Sequence, residues 1–520
     1  MELPHWRLYC SAIFHGLIGY CSVFDLSILN PIQLSVEKFA NYSAFDHYGV
    51  VISSQGLDWL WATVSSSYII GGLLGSLTIK YPAEKLGRRY TVMVLKNVVL
   101  IIGLSLQTVA VPANSIELLI AGRILAGFSL AYTNLIPVYL AECSPTRYRV
   151  LVCCTTIGIG ARFWGLLGII CGIYSDYSNW HYMFLVPLAA SLIHLLSTPA
   201  FHESVKHSYI TRDKPEVSRK ASVFYHGPDT DIELIHDEMK QEADVCPTLH
   251  HVTLNLLFTV PQFKWPFFLC LIAYATVPLT GSYITTLYSS DILRSLGIPE
   301  ISRNLSTAIS IAVPSISLVV SIGALYLLMH TGHRNLLLAG LGFSIAGTAF
   351  LALTSPIAVT GAAASAVFTA LGLIMLNLGF TVGPGLICAM LPGELAPQAT
   401  RSTTTGLGTF VSFSLLLVLL LVFPFTHRAI GSYCFAPLVF LAGVCTLLLL
   451  YFLPETKDKA IHEVVGRWMP LRKNAHTVEQ SMTESSFSPN YGTMENEESE
   501  AQLHRKYGQE TLVLGDSAAQ

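Results

Sequence analysis

The chain has 520 residues, 52% of them hydrophobic and only 12% charged, against the roughly 25% charged of a soluble globular protein. That composition excludes an ordinary soluble domain and places the chain in lipid. A formal net charge of −3 gives no reason to expect nucleic acid as a partner, and in a membrane protein it is the position of the basic residues that informs.

The apolar residues fall into about twelve runs, each near the roughly 20 residues a helix needs to cross hydrocarbon. The first, 8–29, carries Asp25 and continues to Pro31. It lacks a short hydrophobic core followed by a cleavage site, so it reads as a retained helix, not a signal peptide. The sequon Asn41-Tyr42-Ser43 then falls in a predicted external loop, as a candidate glycosylation site. Runs two and three, 57–80 and 92–111, flank Lys80, Lys85, Arg88 and Arg89. Run four, 116–140, holds Arg123.

Counting helical rise, Arg123 lies about 10 Å and Asp25 about 6 Å below the outer ends of their helices, so the two share a layer. An acid there is a functional candidate by default, and either a static brace or a proton switch suits the pair. Run five, 150–172, contains Arg162, about 18 Å from the inner end and near the bilayer centre. A charge at that depth costs a few kcal/mol or more unless it faces water or a partner. It is one member of a structural ion pair, the mark of a displaced helix boundary, or a cavity cation that attracts an anionic substrate, such as a carboxylated sugar, urate or another organic acid.

After run six, 180–200, residues 201–260 form a polar linker with one expected amphipathic helix, Ile232–Glu242. Run seven, 264–290, carries Thr276, Thr280, Tyr283 and Ser290 at helical spacing, which puts them on one inward face. Run eight, 306–329, follows a second sequon, Asn304-Leu305-Ser306, also in a predicted external loop, and run nine is 335–355. Run ten, 359–391, bears Asn377, Thr381 and Cys388 around Gly383-Pro384-Gly385, and interrupted helices of this kind mark transporter sites. For each Ser or Thr, a bond back to its own helix is the alternative. Runs eleven and twelve, 402–424 and 432–453, precede a tail that is expected to be disordered beyond about 470. In it Tyr491-Gly-Thr-Met494 has the form of a sorting signal, with an adaptor as its partner.

The two halves repeat. Glu142-Cys-Ser-Pro145 ending at Arg149 recurs as Glu394-Leu-Ala-Pro397 ending at Arg401, and the interval from Glu142 to Glu203 equals that from Glu394 to Glu455. Lys85-Leu-Gly87-Arg88-Arg89 matches His330-Thr-Gly332-His333-Arg334. The fold expected is an all-α membrane protein of twelve transmembrane helices in two six-helix pseudo-repeats. Its parts are an N-terminal bundle 1–200, the linker 201–260, a C-terminal bundle 261–455 and a tail 456–520. Basic residues gather in the loops on one side, which puts both termini in the cytoplasm. Lys85, Arg88, Arg89, Glu142, Arg149, Glu203, Arg334, Glu394, Arg401 and Glu455 then form an inner gate.

The 11 cysteines show no disulfide or zinc spacing. No nucleophile with a base, metal cluster or phosphate-cradling loop suggests an enzyme.

The combination Lys85-x-Gly87-Arg88-Arg89, Gly122-Arg123, Pro137-x-Tyr139-x-x-Glu142-x-x-Pro145, Val382-Gly383-Pro384-Gly385 and Pro454-Glu455-Thr456-Lys457 resembles the animal facilitative hexose transporters, sugar porters of the major facilitator superfamily. The segment Asp25-Leu-Ser-Ile-Leu-Asn30-Pro looks most like the fructose- and urate-carrying subgroup. The resemblance implies facilitated diffusion of a hexose or similar polyol at the plasma membrane, without ATP or bound cofactor.

Departures fall where the sugar binds in that family. Val277 and Pro278 replace a glutamine pair, Tyr283 an asparagine, Ala389 a tryptophan, and Thr156 or Ile157 a glutamine. Losing amides that bond sugar hydroxyls points away from ordinary glucose uptake. Asp25 stands where facilitative members carry asparagine and proton-coupled symporters carry aspartate. Substrate-contacting positions expected from this reading are Arg162, Thr280, Tyr283, Asn377, Thr381 and Ala389. A proton-coupled symporter, an organic-anion carrier and a non-transporting solute receptor remain as alternatives.

Overall fold

The computed structural model describes residues 5–145, 147–228, 230–245, 257–258, 261–294, 299–354, 362–457, 459 and 464. Among them the regular structure is helical, with no strand, as lipid requires of segments that must satisfy their own backbone groups. Nine helices among the described residues are long and apolar enough to cross a membrane. One of these stretches, Thr400–Phe452, is two spans, Gln398–Ile430 and Ala436–Phe452, reversing at Gly431. With the short sixth span, Trp180–Leu196, and a broken first span, the crossings number twelve.

The others in the first half are Ser54–Thr78, Arg88–Ala110, Ile116–Cys143 and Arg149–Ile173. In the second half they are Pro261–Leu279 continued by Ser282–Arg294, then Pro299–His330, His333–Ala352, and Ala362–Val382 continued by Pro384–Leu395. The chain is therefore a multi-pass integral membrane protein with the twelve crossings expected. Its outward surface agrees: Phe440 is 70% and Val319 69% exposed, side chains suited to acyl chains and not to water.

The first span departs from the continuous 8–29 helix expected. It is Trp6–Leu17 and then Val23–Tyr48, with residues 18–22 between them. A break in hydrocarbon strands carbonyls that need donors, and neighbouring spans supply them. Trp164 Nε1 donates to Leu17 O at 2.7 Å, Tyr68 OH to Ser22 O at 2.6 Å, and Lys96 Nζ to Gly19 O. The second piece runs on to Tyr48, so Asn41 lies in a helix and not in the loop expected, where its Oδ1 accepts the Ile52 N–H at 3.0 Å. Asn304 also falls within a helix, Pro299–His330. Both corrections have one cause: these two helices run past the apolar stretch that marks the bilayer.

Small residues let spans close on one another. A Cβ on Gly71 or Gly127 would overlap a backbone carbonyl of the facing span, that of Ile124 or of Tyr68. Across the halves, span five packs on span eight, span two on span eleven, and the Val23–Tyr48 piece on Ser282–Arg294. Among the described residues the linker holds the α-helices Pro215–His226 and Ile232–Val245. The second covers the amphipathic segment expected. The first docks on span four, with Tyr225 OH and Tyr139 OH 2.6 Å apart and the His226 ring 2.8 Å from Cys143 O. Tyr491 and nearly all of the tail lie outside the described residues.

Candidate substrate cavity and gating layer

A cavity of about 210 Å³ lies between the two halves, room for a small solute and not only for a water molecule. The first half contributes Tyr20, Ser27, Thr133, Asn134 and Arg162. The second contributes Tyr274, Ser282, Tyr283, Thr286, Asn377 and Thr409, while Ile157, Val277, Phe380 and Ala389 supply apolar wall. The departures from the sugar-binding pattern noted above thus sit on the cavity surface at Ile157, Val277, Tyr283 and Ala389.

Of the six substrate-contacting positions expected, Arg162, Tyr283, Asn377 and Ala389 line the cavity; Thr280 and Thr381 do not. Both hydroxyls are fully buried and donate back to their own helices, Thr280 to Val277 O at 2.9 Å and Thr381 to Asn377 O at 2.7 Å. A continuous helix would have put Thr276, Thr280 and Tyr283 on one face. The span instead breaks at Gly281, whose φ of +84° only glycine adopts easily. The face rotates there, bringing Ser282 and Thr286 inward in place of Thr280. The cavity residues Tyr20, Ser27, Thr133, Asn134 and Tyr274 escaped notice in the sequence. Pro278 beside Gly281, and the polar pair Thr133-Asn134 at the break in span four, were the available signals.

Two of the lining groups hold each other: Ser282 Oγ donates to Asn377 Oδ1 at 3.2 Å, and Asn377 Nδ2 to Leu373 O at 2.9 Å. The Arg162 guanidinium sits 5.1 Å from the Phe380 ring centroid, and that ring meets Tyr283 edge-on at 5.9 Å. Gly385 makes room for it, since a Cβ there would stand 2.8 Å from Nη2. No described residue forms a hydrogen bond or ion pair with Arg162.

Away from the cavity, Asp25 and Arg123 meet. Arg123 Nη1 lies 2.8 Å from Asp25 Oδ1, and both side chains are fully buried. Gln107 Nε2 donates to the other carboxylate oxygen at 2.7 Å, and Arg123 Nε to Val64 O at 2.8 Å. The break at 18–22 places Asp25 at the third position of its helix piece. Because that piece runs on to Tyr48, Asp25 lies about 34 Å of helix from its outer end, against the 6 Å expected of a helix ending near 29.

The duplicated motifs gather at one end of the bundle. Glu142, buried, lies 3.3 Å from Arg88 Nε and 3.6 Å from Nη1 of Arg401 in the opposite half, and accepts Ser204 Oγ–H at 2.6 Å. Ser402 Oγ crosses the same seam to Glu84 Oε1 at 2.9 Å. The second half repeats the pattern with one change. Glu394 accepts Thr456 Oγ1–H at 2.6 Å, but the Arg88 position is His333, 3.1 Å from Glu394. Glu203 and Glu455 accept backbone N–H groups at helix starts, from Arg89 at 3.0 Å and from His333 at 2.9 Å, where carboxylates complement the helix dipole.

Arg89 and Arg334 donate to the carbonyls of Phe201 and Leu450. Arg149 is buried within this layer, whereas Lys85 points outward, its Nζ bonded to Tyr81 OH at 2.7 Å. His207, in the turn after span six, is held down to about 3 by burial and by neighbouring Arg88, against the pull of Glu142. At the opposite end of the bundle Arg428 Nη2 bonds Asp58 Oδ1 at 2.7 Å, again joining the halves.

Residues 12–468, from the first span to past the last, match the family described as sugar (and other) transporter. The chain belongs to that family. Among its relatives, mouse solute carrier family 2, facilitated glucose transporter member 7 is 26% identical over 87% of this chain and 88% of its own length. Human member 9 is 26% identical over 88% of this chain and 85% of its own length. A structure of the proton:xylose symporter XylE bound to 6-bromo-6-deoxy-D-glucose superposes with a TM-score of 0.76 at 18% identity, covering 89% of this chain and 99% of that one. The last likeness is one of fold. The cavity lies between the two halves of that fold, and polar contacts tie the halves at both ends.

Proposed function

We propose that the protein carries a sugar or sugar-like small polar solute across the membrane by alternating access, facilitatively and without a chemical step. The observation that carries this is the cavity itself: both halves line it, hydroxyl and amide groups stud it, and breakable polar contacts tie the halves at each end. Relatives named facilitated glucose transporters support the sugar class. The bundles 1–200 and 261–455 rock about the cavity, joined by the linker 201–260 and followed by the tail 456–520.

The motif-bearing end faces the cytoplasm together with both termini, because the basic inter-span loops lie there. The plasma membrane is the site of action, with Asn41 and Asn304 as candidate glycan acceptors and Tyr491 as a candidate adaptor signal. Solute-loaded proteoliposomes test the carrier reading: trans solute should accelerate uptake of labelled cis solute, and binding without such counterflow would make the protein a receptor.

A second reading rests on a separate observation, the buried Asp25–Arg123 pair with Gln107 on its free oxygen. Protonating Asp25 would release Arg123 and permit the rocking step, coupling transport to protons.

A further inference from the structure

The cavity is cationic. Arg162 is its one charged lining residue among the described residues, and no lining residue there is Asp or Glu. A guanidinium carries five N–H donors, and Arg162 spends none of them on a described residue. Its described contacts are the Phe380 face at 5.1 Å and the space that Gly385 leaves beside Nη2. Three other buried arginines are committed to carboxylates: Arg123 to Asp25, Arg88 to Glu142, Arg401 to Glu142. A lone cation near mid-membrane depth is costly unless a counter-charge visits it, and a planar fork with open donors matches a carboxylate in two-point geometry.

Resting on the carrier reading above, we infer that the cargo is a hydroxyl-bearing carboxylate, a sugar acid or hydroxy acid, whose carboxylate docks on Arg162. Its hydroxyls bond Tyr283, Asn377 and Thr286. The apolar replacements at Ile157, Val277 and Ala389 fit this assignment: with affinity concentrated in one charge-assisted pair, fewer amides are needed to hold the polyol end. With no coupled counter-ion, each complete cycle carries the one negative charge of the solute across the membrane, so anion uptake responds to membrane potential.

The test uses purified full-length protein in proteoliposomes, with D-glucose and D-glucuronate as probes that differ in the carboxylate. The native protein should take up glucuronate at least about tenfold faster than glucose, the gap of about 1.4 kcal/mol set by one charge-assisted contact. An inside-positive potential of about 100 mV should raise glucuronate accumulation about fiftyfold while leaving glucose unmoved. Arg162→Gln should abolish the preference and the voltage response, and Arg162→Lys should restore part of both. Should Arg162→Gln fail to yield monodisperse protein, the native preference and voltage response decide alone. Glucose counterflow equal to or above that of glucuronate overturns the inference and leaves the carrier reading intact. Counterflow of neither solute overturns the carrier reading itself.

Discussion

Asp25 is legible in the sequence because an acid stands out in an apolar run, and Arg123 for the same reason; what stays hidden is how far Asp25's helix runs on, to Tyr48. The pair discriminates a brace from a switch by one substitution. In liposomes with an imposed pH gradient, a switch predicts that inward acidity drives accumulation in the native protein and that Asp25→Asn keeps exchange but loses accumulation. Uptake that ignores pH and never exceeds equilibrium assigns the pair to bracing.

His207 gives a second single-residue prediction. Its folded value near 3 lies below the usual 6.5, so the unfolded chain binds the extra proton more readily. Its share of stability is complete above about pH 6.5 and declines as pH falls toward 3. The melting temperature in detergent should therefore drop between pH 7 and pH 5, and His207→Gln should flatten that slope; an unchanged slope assigns the acid sensitivity elsewhere. Neutral hydroxyls such as Tyr20 and Thr133 carried no comparable signal, since a serine, threonine or tyrosine in a membrane helix more often serves its own backbone.

At the scale of elements, helix existence was readable and helix continuity was not. Length and hydropathy marked each span, but which face looks inward depends on where a helix breaks. In span seven the glycine at 281 turned Thr280 away and Ser282 in. In span one, donors from Lys96, Tyr68 and Trp164 stabilise a break for which Gly19 is only a weak local signal. The charged layer was readable because duplication doubled it, yet its chemistry divides: Glu142 bridges halves, whereas Glu203 and Glu455 cap helix starts.

Arg401→Ala removes the cross-half partner of a buried carboxylate that keeps Arg88 and Ser204, so the loss should be smaller than the about 3–5 kcal/mol of a buried pair broken outright. Much of that should appear as a shift toward opening at the motif-bearing end. Cysteines placed at that end should gain reactivity to an impermeant thiol reagent about thirtyfold for each 2 kcal/mol of bias. Unchanged reactivity would confine Arg401 to scaffolding. His333→Arg should do the opposite, giving the second half the permanent cation that the first half has in Arg88, and slow exchange.

For the whole molecule, the internal repeat was the strongest sequence signal, because equal spacing of Glu142–Glu203 and Glu394–Glu455 requires duplication of a complete unit and not just similar helix ends. From duplication follow two bundles, a seam between them and a solute site on that seam. The sequence could not show which side chains meet there, since those from Tyr20 to Thr409 are brought together by tertiary packing alone. From this arrangement it follows that one cavity opens alternately to each side.

Paired spin labels test it most directly, one pair at Tyr81 and Lys264 near the motif-bearing end and one at Gln55 and Ala429 near the other, all exposed positions. With saturating glucose or glucuronate, whichever gives counterflow, alternating access predicts that one distance distribution widens as the other narrows. Both pairs widening together, or neither moving while solute is bound, would contradict it.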